Sequence, residues 1–219
     1  LSGCVTRRVP DPGPPMIILP PQPTPDTAPV RAQAPELPGV PTPDAPSDGL
    51  HDVRVGLATA AQEAPLTATG AWRLFDANNS VLVRGRAADA WTIQRRGSQL
   101  RAVSRTGQAT PWGESPVTLR TESAVEFVQF GTRRYRGALR VVASDSGLVV
   151  VNVLPVEDYL RGVVPLEIGS TRGASEQAAV EAQAIAARSY TWVRLMAAGN
   201  GNGRNANFDV AATVADQVY

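Results

Sequence analysis

One carboxylate stands out as a candidate for chemistry. In the run Val164-Pro165-Leu166-Glu167-Ile168-Gly169, a proline biases the residue before it away from helical angles and a glycine frees the chain to turn. The pattern predicts a loop, rigid on one side and hinged on the other, that presents Glu167. A carboxylic acid so placed can serve as general acid if apolar neighbours keep it protonated near neutral pH, and Val164, Leu166 and Ile168 are the local means. The plain alternative is a solvated loop glutamate that caps a backbone group.

Other polar side chains flank this run. Arg188 cannot shed its charge and needs an acceptor wherever it is buried; the candidates are Glu181, two turns earlier on one helix flank, and, against it, Glu167 or a substrate. Gln183, Tyr190 and Arg194 fall together with Ala187 on another face, which could line a groove or meet solvent. Local roles account for Asp158 through the helix dipole, for Tyr159 through packing, and for Asp209 and Gln217 through turn chemistry.

The elements that must position these groups come in two batches. Period-2 alternation predicts strands at residues 53–57, 71–75, 81–83, 91–93, 100–103, 117–119 and 125–130, with hairpin loops at 76–80 and 96–98. Residues 139–143 and 148–153 read as a hairpin across Asp145-Ser146-Gly147, and the run at 148–151, apolar on both faces, predicts a buried central strand. Helices follow. Pro155 suits a first helical position, Glu157 and Asp158 suit the positive end of a dipole, and Gly162 predicts the stop of a short helix. A longer helix is predicted from Ser175 as N-cap to about Ala198, with Gly199 ending it. Its packed side is read as Ala178, Ala182, Ile185, Ser189, Val193 and Met196. The fold class is α+β, mostly antiparallel β with one short and one long helix packed on the sheet.

Composition excludes several classes. The 219 residues are 43% hydrophobic, enough for one domain with a core. A net charge of +1, with basic residues spread along the chain, argues against nucleic acid as partner. One cysteine and one histidine, both upstream, supply neither a disulfide nor a zinc site; no metal and no cofactor are expected. Residues 10–49 are crowded with proline and read as a disordered tether, a polyproline-like spacer of about 3 Å per residue. Ahead of it, at residues 1–9, Leu1-Ser2-Gly3-Cys4 looks like the end of a lipoprotein signal, with Cys4 lipidated and the membrane reached through that anchor.

Three blocks carry a family resemblance: VNVLPVEDYLRGVVPLEIG at residues 151–169, SEQAAVEAQAIAARSY at 175–190 and FDVAATVADQVY at 208–219. In this order they resemble the SpoIID/LytB domain family, the stage II sporulation protein D and amidase enhancer proteins. Ile168 stands where the family has methionine, an exchange of similar volume. Family domains continue beyond the DQVY block, so the domain at 50–219, with a β-rich part at 50–137 and a motif-bearing part at 138–219, is read as C-terminally incomplete.

The resemblance implies a peptidoglycan lytic transglycosylase of the bacterial envelope, lipid-anchored and facing periplasm or exterior. Glycoside hydrolases use two carboxylates about 5 to 9.5 Å apart. A lytic transglycosylase needs one, because the C6 hydroxyl of the muramoyl sugar attacks its own anomeric carbon and leaves a 1,6-anhydro end. The matching residue is Glu167, with Arg188, Gln183, Tyr190, Tyr159, Asp209 and Gln217 as substrate-binding candidates. The alternative is a non-catalytic wall-binding module that recruits or activates an N-acetylmuramoyl-L-alanine amidase. Burial of Glu167 separates the two, since the enzyme requires an apolar setting and a binder does not.

Overall fold

Alternation of apolar and polar side chains writes most of the chain as strands. In Val117–Thr121, for example, Val117 and Leu119 are buried while Thr118 and Arg120 face outward. A computed structural model describes residues 52–203, 205–214 and 216–219; the expectations for Cys4, His51, residues 1–9 and the segment at 10–49 lie outside them.

The strands are β1 (Asp52–Ala61), β2 (Ala64–Ala68), β3 (Trp72–Phe75), β4 (Val81–Gly85), β5 (Trp91–Arg96), β6 (Gln99–Ser104) and β7 (Gly113–Glu114), then β8 (Val117–Thr121), β9 (Val128–Phe130), β10 (Arg133–Tyr135), β11 (Ala138–Ser144) and β12 (Gly147–Pro155). Helices α1 (Val156–Ile168) and α2 (Gln177–Gly199) follow, and β13 (Val210–Ala211) closes the order. A seven-stranded sheet runs β13-β1-β12-β11-β8-β3-β4 and a six-stranded sheet runs β10-β9-β2-β5-β6-β7. Only the β1–β13 pair is parallel among these pairings. One core joins both sheets, with Trp72, Leu119, Leu139 and Val150 from the first against Leu66, Ile93 and Leu100 from the second. The fold is α+β, as the strand-then-helix order predicts.

β12 is the central strand that its apolar run predicts: it lies between β1 and β11, and Leu148 to Val151 are all buried. The β11–β12 register closes with Ser144 opposite Gly147. The strand expected at 125–130 is shorter, because the Glu126 amide bonds back to Ser123 O in a turn and leaves Val125 83% exposed.

Two expectations for the helices are corrected. Helix α1 does not stop at Gly162; it continues through Pro165 to Ile168, with Pro155 as N-cap rather than first helical residue. Its buried residues Val156, Tyr159, Leu160, Val163 and Val164 fall at i, i+3, i+4, i+7 and i+8. Burying each contributes about 1.5–3 kcal/mol, which outweighs the roughly 3 kcal/mol that an interior proline costs. Gly162 answers close approach instead, since a Cβ there would lie 2.6 Å from Cε2 of Tyr219. Gly169, at φ +91°, is where the helix ends.

Helix α2 turns the opposite side inward. Ile185, Val193 and Met196 are 61%, 67% and 61% exposed, and Ala178, Ala182 and Ser189 are exposed with them. The buried residues are Ala187 and Thr191, with Tyr190 and Leu195 packed on the core. Thr191 gives its hydroxyl to Gln217 of the third block at 3.2 Å, so the inner face is the one that meets the core and that block, not the one that carries the apolar repeat. Ser175 is not the cap either: a 3-10 turn at Ala174–Glu176 precedes α2, and Glu176 holds the cap position without a side-chain cap bond. The far end closes at Asn200, one residue beyond Gly199.

Candidate functional site

Because α1 runs on to Ile168, Glu167 stands on its last turn, not in a loop. It is exposed, and its Oε1 accepts the Val218 backbone N–H at 2.9 Å. The apolar setting expected around it is absent: Leu166 is 55% exposed, and Val164 turns into the groove between α1 and α2. The plain alternative, a glutamate capping a backbone group, describes this contact, although the capped amide lies 51 residues downstream. No other hydrogen bond or ion pair to Glu167 is formed among the described residues.

The remaining sequence candidates mostly lock the third block to the rest of the fold. Gln217, 7% exposed, accepts the Tyr159 hydroxyl at 3.0 Å and lies 3.2 Å from Thr191 Oγ1. Asp209, 6% exposed, takes Arg54 Nη2 at 2.6 Å and the Arg54 backbone N–H at 2.9 Å. Tyr190 donates its hydroxyl to Asp216, whose other oxygen accepts the Ala211 N–H at 2.8 Å. Tyr159, Asp209 and Gln217 are therefore internal latches, and a buried polar group already satisfied has little left for a ligand. Gln183 is half-buried and makes no hydrogen bond among the described residues.

Arg188 meets neither Glu181 nor Glu167. Its Nε and Nη2 donate to the two oxygens of Glu157, both at 2.8 Å, in a paired geometry that joins α2 to the first turn of α1. That bond holds the Glu157 carboxyl below its ordinary range and raises Arg188 further. Glu181 instead accepts from Gln177 at 2.8 Å, one turn back.

The sequence reading missed the cleft beside Glu167. Its volume is about 380 Å³, and its walls include Phe127, Arg133, Arg134, Tyr135, Arg136 and Tyr219, together with Leu166 and Val218. Arg133 donates to the main-chain oxygen of Tyr219 at 2.8 Å, and Arg136 lies over the Phe127 ring at 5.1 Å and 3.9 Å from Asp158. Tyr219 packs on Tyr159 and Tyr135 with ring centres 4.9 and 5.7 Å apart. Burial pushes the Tyr159 and Tyr219 hydroxyls well above the usual range, and neighbouring tyrosines add to it. Tyr135 is raised by burial too, against Arg133. The signal was local: GTRRYRG at 131–137 gathers three arginines about one tyrosine. Guanidinium donors beside aromatic faces suit hydroxyls, carboxylates and the apolar faces of sugar rings. Among the described residues no three His, Cys, Asp or Glu side chains converge as metal ligands.

Residues 144–219 match the family model described as SpoIID, Stage II sporulation protein, a cell-wall related family. The match takes in α1, α2 and the C-terminal latches. An uncharacterized protein of Brachyspira hyodysenteriae is 36% identical over 88 residues, which is 39% of this chain and 21% of that protein. The chain thus spans about a fifth of the length of this curated relative. No solved structure gives a significant match.

Proposed function

We propose that this chain is a lipid-anchored domain of the bacterial envelope that acts on peptidoglycan glycan strands as a lytic transglycosylase, with Glu167 as general acid and then base. The observation that carries the reading is a carboxylate beside the arginine and tyrosine cleft that no cation holds among the described residues; Asp145 and Glu181 also meet no cation, but Asp145 lies in the β11–β12 turn and Glu181 bonds Gln177 on α2. In the motif-bearing part, Glu157 is paired with Arg188, Asp158 with Arg161, and Asp209 with Arg54, while Asp216 takes Tyr190. A carboxylate committed to a cation cannot easily take up and return a proton. Glu167 has one backbone amide on Oε1, no cation among the described residues, and the wall residues Leu166 and Val218 next to it.

In the reaction, protonated Glu167 gives its proton to the glycosidic oxygen as the bond to the anomeric carbon breaks. The C6 hydroxyl of the same sugar then closes on that carbon and returns its proton to the carboxylate, and no water is consumed. Arg133 and Arg136 are suited to holding strand carboxylates or hydroxyls, with Tyr219 and Phe127 as apolar backing.

The exposure of Glu167 favours a second reading, a non-catalytic wall-binding module that recruits or activates an amidase, because a general acid gains nothing from solvent around it. Mass spectrometry of stripped glycan strands incubated with the full chain separates the two. Anhydro-ended fragments that vanish in Glu167→Gln, with strand binding retained, support the enzyme. Binding without cleavage supports the module, and cleavage surviving in Glu167→Gln removes Glu167 as the acid.

A further inference from the structure

Away from Glu167, the outward side of the seven-stranded sheet carries a second cleft of about 630 Å³. Arg140 of β11 and Arg120 of β8 both line it. The β8–β11 register sets Thr118 opposite Arg140 and Arg120 opposite Ala138. The two arginines are therefore diagonal neighbours on one side of the sheet, about 7–8 Å apart at the backbone. Like charges this close repel unless something between them accepts both.

Their surroundings differ. Arg120 gives Nη1 to Asn79 Oδ1 at 2.8 Å and lies 5.0 Å from the centre of the Phe75 ring. Arg140 Nε is buried without an acceptor, and its guanidinium makes no hydrogen bond or ion pair among the described residues. A guanidinium stays charged at any ordinary pH, so a buried N–H on one calls for an oxygen that the fold itself does not supply. Two carboxylates line the same cleft: Asp52, which burial pushes above the usual carboxylate range, and Asp76, whose Oδ1 already accepts the Asn78 and Ser80 amides. They would repel a ligand dense in phosphate, yet they can accept hydroxyl or amide N–H groups. The donor set asks for one carboxylate on a scaffold of hydroxyls and amides.

We infer that this cleft binds an acidic amino sugar, its carboxylate held by Arg140 and Arg120 and its hydroxyl and amide groups by Asp52, Asp76 and Thr118. The site is separate from Glu167, so it stands whether or not the chain cleaves glycan.

Calorimetric titration of the full chain with N-acetylmuramic acid, N-acetylglucosamine and inorganic phosphate tests it, alongside Arg140→Met and Arg120→Ala. N-acetylmuramic acid should bind at least tenfold more tightly than the other two, since only it joins a carboxylate to an amino sugar. Each variant should lose about ten- to a hundredfold, the range for one charge-assisted contact. Arg140→Met should melt at or above the temperature of the parent, because it removes a charge the free fold leaves unpaired. Equal affinity for the neutral sugar or for phosphate, no measurable binding, or unchanged affinity in Arg140→Met overturns the inference. A lowered melting temperature in Arg140→Met overturns it as well, since Arg140 would then be a structural group.

Discussion

Tyr219→Phe removes one oxygen from the centre of the latch that holds the third sequence block. The hydroxyl donates to Asn152 Oδ1 at 2.7 Å, and Asn152 is fully buried in β12 with its amide nitrogen given to Arg136 O at 2.8 Å and Ala138 O at 2.9 Å. Phenylalanine keeps the ring contacts with Tyr159 and Tyr135 and strands the Asn152 oxygen without a donor. An unsatisfied buried acceptor costs about 1–3 kcal/mol, and for a domain of this size each kcal/mol moves the melting point by about 2–4 °C. A thermal or urea melt followed by circular dichroism should therefore show a loss of about 1–3 kcal/mol, or about 2–12 °C. Combined with Asn152→Ala, the loss should fall short of the sum of the single losses by at least about 0.5 kcal/mol, the signature of a direct pair.

The alkaline limb offers a second readout. Burial raises the hydroxyls of Tyr159 and Tyr219 above the value near 10 that an unfolded tyrosine has. Above pH about 10 the unfolded chain releases those protons while the folded chain keeps them. The stability is complete below that pH and falls as pH rises, by up to about 1.4 kcal/mol per pH unit for each group. With one of the two removed, Tyr219→Phe should show a shallower slope than the parent. A variant within about 0.5 kcal/mol of the parent, strict additivity with Asn152→Ala, or an unchanged slope would refute the latch.

Two other substitutions probe the frame and the helix pair. Gly162→Ala should destabilise by about 1–3 kcal/mol in the same melts, because its methyl would meet the buried Tyr219 ring at 2.6 Å, even though alanine is the better helix former by about 1 kcal/mol. A neutral or stabilising result would show that the ring yields. Arg188→Ala should change stability by less than about 1 kcal/mol, since the Glu157 pair is largely exposed. Should glycan affinity instead fall tenfold or more with the fold intact, Arg188 touches substrate after all.

Strands were legible because alternation is local. The 148–153 run reveals a central strand through having no polar face at all, and the Arg96-Gly97-Ser98 turn joins β5 to β6 where the pattern put it. Glu167 was legible as a singular residue, but its setting was not. Val164-Pro165 argues locally for a helix end, whereas five buried side chains across three turns argue for continuation, and the larger sum wins. The packed side of α2 was misread for a similar reason: Ile185 and Val193 look like core until the partner surface is seen to take Ala187, Tyr190, Thr191 and Leu195 instead.

By itself, then, the sequence determined the α+β order, the hairpins and the three motif blocks, all set by side chains within a few residues of one another. The tertiary structure decided who meets whom: Arg188 with Glu157 across 31 positions, Glu167 with Val218 across 51, and Arg133 with Tyr219 across 86. Those pairings follow from how the sheets and helices close on one core, and a linear chain holds no record of that closure until it is packed.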